Sequence, residues 1–452
     1  MPKNQQVITF GCRLNTFESE HIKHVLKQND LHDVIVVNTC AVTAEAERQA
    51  RQAIRKLKLA HPDKRIVVTG CAATISREAF EGMPQVDRVI SNEQKDDPQL
   101  FAKALTAGIL PSEERSFAQL KEHSPYQSKE RGQLEERSAE QLNVLSSQKF
   151  IPNFEGKSRA FLQIQTGCDN CCSFCVIRIA RGKSVSYPIS QILAQAQQFA
   201  DKGYQEINLT GVNITSFDSE GHRLAELINL LLEKIPTVRI RLSSLDPGEL
   251  NDALYDVMRN ERVLPHWHLS IQSGDSTVLA RMLRRHTPDD IVSIVNRVRQ
   301  TRPEIAIGAD IIVGFPGETQ DMFENSCALV RKCKIALLHV FPYSERPGTV
   351  ASTLPQKVPP RIKVERAQLL RQIGTDVLRE VLQLLVGTEV VAFVEQEMPS
   401  ELSVNEAPCY SGKTEHFFRI TICGQGAPIG RFVKVQVERI LSDDSLFSYW
   451  KT

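Results

Sequence analysis

The run Ala160-Phe-Leu-Gln-Ile-Gln165-Thr-Gly-Cys168-Asp-Asn-Cys171-Cys172-Ser-Phe-Cys175 decides the fold. Its first six residues form a short β-prone segment, and Thr166-Gly167 supplies the turn that ends it. Four cysteines then crowd into eight residues, Cys168 to Cys175. Soft thiolates in a tight loop after a strand suit an iron–sulfur cluster or a zinc ion. Zinc is the poorer match, because two separated ligand pairs are missing and a distant Cys or His would have to complete the set.

Downstream, strand candidates follow at Glu206 to Leu209, Val238 to Leu242, Trp267 to Ile271, Ile305 to Val313 and Ile335 to Val340. They alternate with helical stretches such as Ile189 to Asp201, Leu224 to Glu233, Asp289 to Gln300 and Asp321 to Cys333. This rhythm is that of a closed or partial (β/α) barrel, whose functional residues sit where the strands end. Polar or glycine-bearing loops stand at those ends: Thr210-Gly-Val-Asn213, Ser243-Ser244, Gln272-Ser273-Gly274 and Gly314-Phe-Pro-Gly-Glu318.

Upstream, Val7 to Phe10, Val34 to Val37, Ile66 to Thr69 and Val86 to Ile90 alternate with helical Glu18 to Lys27 and Ala44 to Leu59, which predicts a small, mostly parallel α/β sheet. Cys12, Cys40 and Cys71 each follow one of the first three strands. The carboxyl ends of parallel strands share one edge, so these thiols can converge despite their separation. They read either as ligands of a second cluster or as ordinary buried cysteines. From Glu113 to Asn153 the chain becomes rich in Ser, Gln, Glu and Lys with little periodicity, as in a polar linker or a solvated helix. After Pro359-Pro360 a helix over Ile362 to Leu385 closes the middle section. The β-rich segments Glu389 to Val394, Glu415 to Thr421 and Gly430 to Glu438 then predict a small β-barrel. The expected division is an α/β domain over 1–112, a linker over 113–153, a barrel with its closing helix over 154–385, and a β-barrel over 386–445.

The 452 residues carry 55 Lys and Arg against 54 Asp and Glu, so nucleic-acid contact would have to come from local patches. Candidates are Glu45 to Arg65, with seven basic residues against three acidic, and Arg281 to Arg285, with three arginines. In the C-terminal part, Tyr410, Lys413, His416, Phe417, Phe418 and Arg419 mix aromatic and basic groups. No run approaches the length of a membrane helix and no signal-peptide core opens the chain, so a cytoplasmic protein without membrane contact is expected. In a reducing compartment the 11 cysteines favour metal ligation over a disulfide framework.

Taken together, Gly11-Cys12-Arg-Leu-Asn15 with Glu18-Ser-Glu20, Asn38-Thr-Cys40-Ala-Val-Thr43, Thr69-Gly-Cys71, the cysteine loop, Arg181-Gly182, His268-Leu-Ser-Ile-Gln-Ser-Gly274 and Gly314-Phe-Pro-Gly-Glu-Thr319 resemble the radical S-adenosylmethionine (SAM) methylthiotransferases. The resemblance implies a C-terminal RNA-binding barrel of the TRAM type and two [4Fe-4S] clusters. Cys168, Cys172 and Cys175 would hold one, whose open iron chelates SAM, and Cys171 would be the spare. Cys12, Cys40 and Cys71 would hold the auxiliary one. One SAM would methylate a sulfur carried by the auxiliary cluster and a second would yield a 5′-deoxyadenosyl radical. The substrate would be C2 of a modified adenine at position 37 of tRNA, a C–H that no ordinary base removes.

Supporting roles follow the same resemblance. Gln272 and Ser273 would hydrogen-bond SAM, Glu206 and Asn208 would stand near its methionyl amine, and Asn213 and Ser243 would project from strand-end loops. Arg241 and Asp310 are candidates for carboxylate and hydroxyl contacts. Each of these also reads as a cap or turn residue. The implied partners are a tRNA anticodon stem-loop, a low-potential electron donor and a sulfur source, with the protein as a monomer. Gly11 to Asn15 and Leu209 to Asn213 resemble the subgroup acting on N6-threonylcarbamoyladenosine. The alternatives are the isopentenyladenosine subgroup, the subgroup acting on a ribosomal-protein aspartate, and a non-enzymatic metal-cluster RNA-binding protein. Arg178 stands where the family commonly has a proline, and Cys327, Cys333, Cys409 and Cys423 read as structural.

Overall fold

Val34 to Thr39 is an unbroken buried run of Val, Ile, Asn and Thr, as a strand covered on both faces must be. With Val7–Thr9 (β1), Val34–Thr39 (β2), Arg65–Gly70 (β3) and Arg88–Val89 (β4) it forms a parallel sheet in the order β1-β2-β3-β4. Alternation then divides the core: Val34 and Val36 pack with Val7, Ile22 and Phe101, whereas Ile35 and Val37 pack with Ile54, Val68 and Phe80. The expected strand Val86 to Ile90 shortens to two residues. The helix Ala44–Ala60 starts where the Thr43 hydroxyl accepts from the Ala46 N–H at 3.1 Å.

This sheet belongs to the first of two units of a computed structural model that describes residues 6–106, 151–154, 156–399 and 407–450. The unit also includes Thr166–Asp169 and Val176–Pro188. Most of the expected linker, residues 113–150, lies outside the described residues.

The second unit contains the β/α rhythm. Ala160–Gln163 (β5), Glu206–Thr210 (β6) and Arg239–Leu242 (β7) form one parallel sheet. Ser244–Leu245 (β8), His266–Gln272 (β9), Ala306–Val313 (β10) and Leu337–Pro342 (β11) form another, also parallel. Each strand neighbours its predecessor within its sheet, and the break between β7 and β8 falls at Ser243. Along β10, Ile307, Ala309, Ile311 and Val313 are buried, while Asp310 and Ile312 on the other face are part-exposed, which separates the packed outer side from the inner side. The helix Pro360–Gln383 packs along β11, with Gly374 close against Leu338.

The chain ends in a closed five-stranded barrel, ordered Glu389–Glu397 (β12), Cys409–Thr414 (β13), Arg419–Cys423 (β14), Leu446–Tyr449 (β16) and Phe432–Ile440 (β15). Two of these strands, β13 and β16, were not expected. Residues 415–418, expected within a strand, instead form the turn between β13 and β14, where Phe417 takes a φ of +74°. Cys409 and Cys423, expected to be structural, are direct cross-strand partners with Cα atoms 4.0 Å apart and form a disulfide, although metal ligation was favoured over a disulfide framework. The barrel core includes Ala306, Ala336 and Leu382 from the preceding fold, so the two share one hydrophobic cluster.

Candidate functional site

In the first unit the three strand-end cysteines gather at one edge of the sheet. Cys12 caps the start of the helix Arg13–Gln28, Cys40 follows β2, and Cys71 opens the short helix Cys71–Ile75. Gly11 turns the chain at a φ of +102°, and a Cβ there would lie 2.7 Å from the Cys40 sulfur, so this approach requires glycine. Asn15 ties the loops together, donating to the Phe10 and Thr39 carbonyls at 2.7 and 3.1 Å. Burial pushes the Cys40 thiol up to about 12, and the Cys12 and Cys71 sulfurs add to the shift. Asn15 Oδ1 accepts from the Cys12 thiol at 3.7 Å and from Arg181 Nη2 at 3.1 Å, and the Arg181 Nε reaches the Cys71 sulfur, so one guanidinium joins the Cys12 and Cys71 loops. Three such thiols fit a metal cluster, whose iron offsets the repulsion between thiolates.

Around this pocket lies a buried ionic network. The Arg181 Nε donates to the Cys71 Sγ at 3.1 Å, and its Nη1 pairs with Glu18 at 2.7 Å. Lys95 reaches the other Glu18 oxygen at 2.6 Å and the Asn92 side chain at 2.8 Å. Both cations hold the Glu18 carboxyl below the usual carboxylate range against the opposing effect of its burial. Arg181 and Glu18 stood in motifs without an assigned role. Lys95 carried no sequence signal, because a lysine within Asn-Glu-Gln-Lys-Asp reads as a solvated helix face.

Backbone turns fix the two ends of the cysteine loop. In the first unit Gly167 takes a φ of +70°, where a Cβ would sit 1.8 Å from the Lys183 carbonyl oxygen, and the Cys168 N–H donates to the Gly182 carbonyl at 3.2 Å. In the second, the Cys175 N–H closes a turn on the Cys172 carbonyl at 3.1 Å. Ser173 anchors that turn on the Arg281 carbonyl at 2.8 Å, and Phe174 packs among Val278, Ile312 and Phe315 as an apolar cover. Arg284 donates from Nη1 to the Cys172 sulfur at 3.3 Å and from Nη2 to the Ser270 carbonyl at 2.9 Å. Cys171 is exposed.

Gln272, Ser273, Asn213 and Ser243 stand at strand ends in the second unit, whereas Asp310 lies within β10. Gln272 has a φ of +72° at an irregularity of β9, a strained conformation of the kind concentrated at ligand sites. Ser273 is buried and accepts from the Asp275 N–H at 3.2 Å. Asn213 donates to Glu249 at 2.8 Å, and Ser243 lies buried at the break between β7 and β8. Asp310 joins His268 and His339 on the adjacent strands at 3.0 and 3.2 Å. These bonds hold its carboxyl below the usual range although burial opposes it. Sequence reasoning missed Gln165, whose Oε1 accepts from the Val212 and Asn213 N–H groups, both at 3.0 Å, and so shapes the loop after β6.

Residues 162–330 match the radical SAM superfamily, and residues 4–91 match an uncharacterized protein family, UPF0004. The chain is 41% identical over 399 residues to the threonylcarbamoyladenosine tRNA methylthiotransferase MtaB of Rickettsia prowazekii, covering 86% of this chain and 87% of that one. The protein of the same name from Bacillus subtilis is 32% identical over 95% of this chain and 92% of its own. The chain belongs to the radical-SAM methylthiotransferase family. The tRNA-2-methylthio-N(6)-dimethylallyladenosine synthase of Cereibacter sphaeroides is 30% identical over 95% of this chain and 94% of its own. As a member of the radical-SAM methylthiotransferases, the protein is an enzyme that uses SAM and iron–sulfur chemistry.

Other residues expected at the methylthiotransferase site are committed elsewhere. Glu206 and Arg241 are wholly buried and pair at 2.7 Å, with Asn208 donating to Glu206 at 3.1 Å. Arg241 also donates to the Glu415 carbonyl at 2.9 Å, and Phe417 lies 4.8 Å beneath its guanidinium. The turn between β13 and β14 thus closes against the amino-terminal ends of β6, β7 and β9, opposite the loop-bearing ends. Burial would raise the Glu206 pKa, but the Arg159 and Arg241 charges outweigh it and bring it to about 2.

The expected RNA-facing residues are also largely engaged. Tyr410, His416 and Phe418 are buried, Lys413 covers the Phe417 ring at 4.0 Å, and Arg419 pairs with Asp443. Arg281 donates to the Gly317 carbonyl, Arg285 pairs with Glu249, and Arg48 and Arg51 pair along their own helix. Among the described residues no helix is long and apolar enough to cross a membrane.

Proposed function

We propose that the protein converts N6-threonylcarbamoyladenosine at position 37 of tRNA to its 2-methylthio derivative. The observation that carries this reading is the 41% identity, over most of both chains, to a relative named for that nucleoside, against 30% to one named for dimethylallyladenosine. Cys168, Cys172 and Cys175 hold one [4Fe-4S] cluster, and Cys12, Cys40 and Cys71 hold the other. When bound, these clusters supply reductive cleavage of SAM and a sulfur to be methylated and transferred.

The chain's own residues then bind, orient and shield. Phe174 and its apolar neighbours cover one side of the cysteine loop, a shield of the kind a carbon radical requires. Arg284 holds the Cys172 sulfur in place by a hydrogen bond. Gln272, Ser273, Asn213 and Ser243 form the strand-end set offered to SAM, and Asp310 is offered from within β10. Glu206, Asn208 and Arg241 act at one remove by fixing β6 and β7 at their amino-terminal ends. The partners in this reading are a tRNA anticodon stem-loop, a low-potential reductant and a sulfur source, with the protein working as a monomer.

Nucleoside mass spectrometry of total tRNA from cells with and without the gene tests it. Loss of 2-methylthio-N6-threonylcarbamoyladenosine with accumulation of its unthiolated precursor is the expected result. Loss of the isopentenyl counterpart instead would transfer the assignment to that substrate. No change in either would overturn a tRNA substrate of both kinds.

A further inference from the structure

We propose that Arg181 sets the reduction potential of the auxiliary cluster, acting through Cys71 by a hydrogen bond and by an unbalanced buried charge. The inference rests on the reading of Cys12, Cys40 and Cys71 as cluster ligands. Arg181 ends the short helix Ile177–Arg181, and its side chain is almost fully buried. Its Nε lies 3.1 Å from the Cys71 sulfur, while Nη1 and Nη2 are engaged by Glu18 at 2.7 and 3.2 Å. The fork therefore spends one edge on a carboxylate and turns another donor to sulfur. An arginine that served only to pair with Glu18 would have no need of the sulfur contact.

The charge count supports the same role. Glu18 is shared between Arg181 and Lys95, whose Nζ stands 2.6 Å away and is equally buried. Two cations against one carboxylate leave one positive charge within the wall of a pocket that gathers three sulfurs. Buried charges are weakly screened. Reduction adds a negative charge to a cluster, so a fixed neighbouring cation and an N–H donor to sulfur both favour the reduced form. Arg181 is thus a positioning and tuning residue, and Glu18 sets how much of its charge the cluster feels.

The two residues make predictions of opposite sign. The test uses the full chain carrying Cys168→Ala, Cys172→Ala and Cys175→Ala, reconstituted without oxygen with iron and sulfide, so that a single cluster reports in a potentiometric titration followed by electron paramagnetic resonance. Arg181→Gln is expected to lower the reduced-to-oxidised ratio at a fixed potential about tenfold, a shift of about 59 mV for one electron. Glu18→Gln keeps the shape of the network and unmasks both cations, so its potential is expected to rise. Unchanged potentials in both variants, or shifts of the same sign, would overturn the proposal. If Arg181→Gln does not retain the cluster, Glu18→Gln decides alone: a rise supports the proposal and no change overturns it. Failure of the parent chain to assemble any cluster would instead refute the ligand reading beneath it.

Discussion

Arg241 illustrates how strongly single buried charges act in this protein. It is fully buried against Glu206, whose remaining partners are Asn208 and Arg159. Removing one member of such a pair leaves an uncompensated charge, so Arg241→Ala is expected to destabilise the second unit by about 3–5 kcal/mol in urea unfolding. A change under about 1 kcal/mol would contradict the pairing. Acid should dissect two residues by pH. Glu206 titrates at about 2 in the fold against 4.5 unfolded, so its contribution is complete above 4.5 and fades as pH falls towards 2. His416 titrates at about 4 in place of 6.5, mainly through burial, with Arg241 and Arg302 adding to it. The unfolded chain binds that proton first, so stability falls from pH 6.5 to 4, by up to about 3 kcal/mol. His416→Phe, which keeps a ring beside Phe418, is expected to flatten the curve in that window and leave the lower limb intact; an unaltered slope from 6.5 to 4 would count against His416 as its source.

At the scale of elements, local sequence reads well where a single pressure shapes it. Val34 to Val37 announced itself because a doubly covered strand is apolar on both faces, although the strand runs on through polar Asn38 and Thr39, and Ile189 to Asp201 because its apolar residues recur at helical spacing. Cys409 to Thr414 did not: Cys-Tyr-Ser-Gly-Lys-Thr has few β-branched residues, and closure of the barrel, not propensity, makes it a strand. The turns at the cysteines are backbone devices and can be tested as such. Gly11→Ala would place a methyl group 2.7 Å from the Cys40 sulfur at a φ few L-residues adopt. Such a variant is expected to fold its sheet, by circular dichroism, yet to take up about half the iron of the parent on reconstitution. Full iron uptake would show that the Cys40 approach is not needed for the auxiliary cluster.

For the whole molecule, the terminal barrel is part of the fold's integrity as well as a module of it. Its core includes Ala306, Ala336 and Leu382, and its turn covers Arg241 with Phe417. Deleting residues 386–452 is therefore expected to give a chain that aggregates on size-exclusion chromatography, because an apolar end and a buried ion pair are exposed together. A monodisperse truncated chain with an unaltered melting temperature would show the barrel to be dispensable. What the sequence by itself determined is the alternation of strands and helices and the placing of Cys12, Cys40, Cys71 and the cysteine loop at strand ends. Periodicity and turn residues act over a few positions, so they can be read without the fold. Only the tertiary structure decided which buried charges meet. Arg181 finds Glu18 across 163 residues and Arg241 finds the Glu415 carbonyl across 174. No local spacing encodes such partners, because a charge taken out of water is held by whatever packing brings to it.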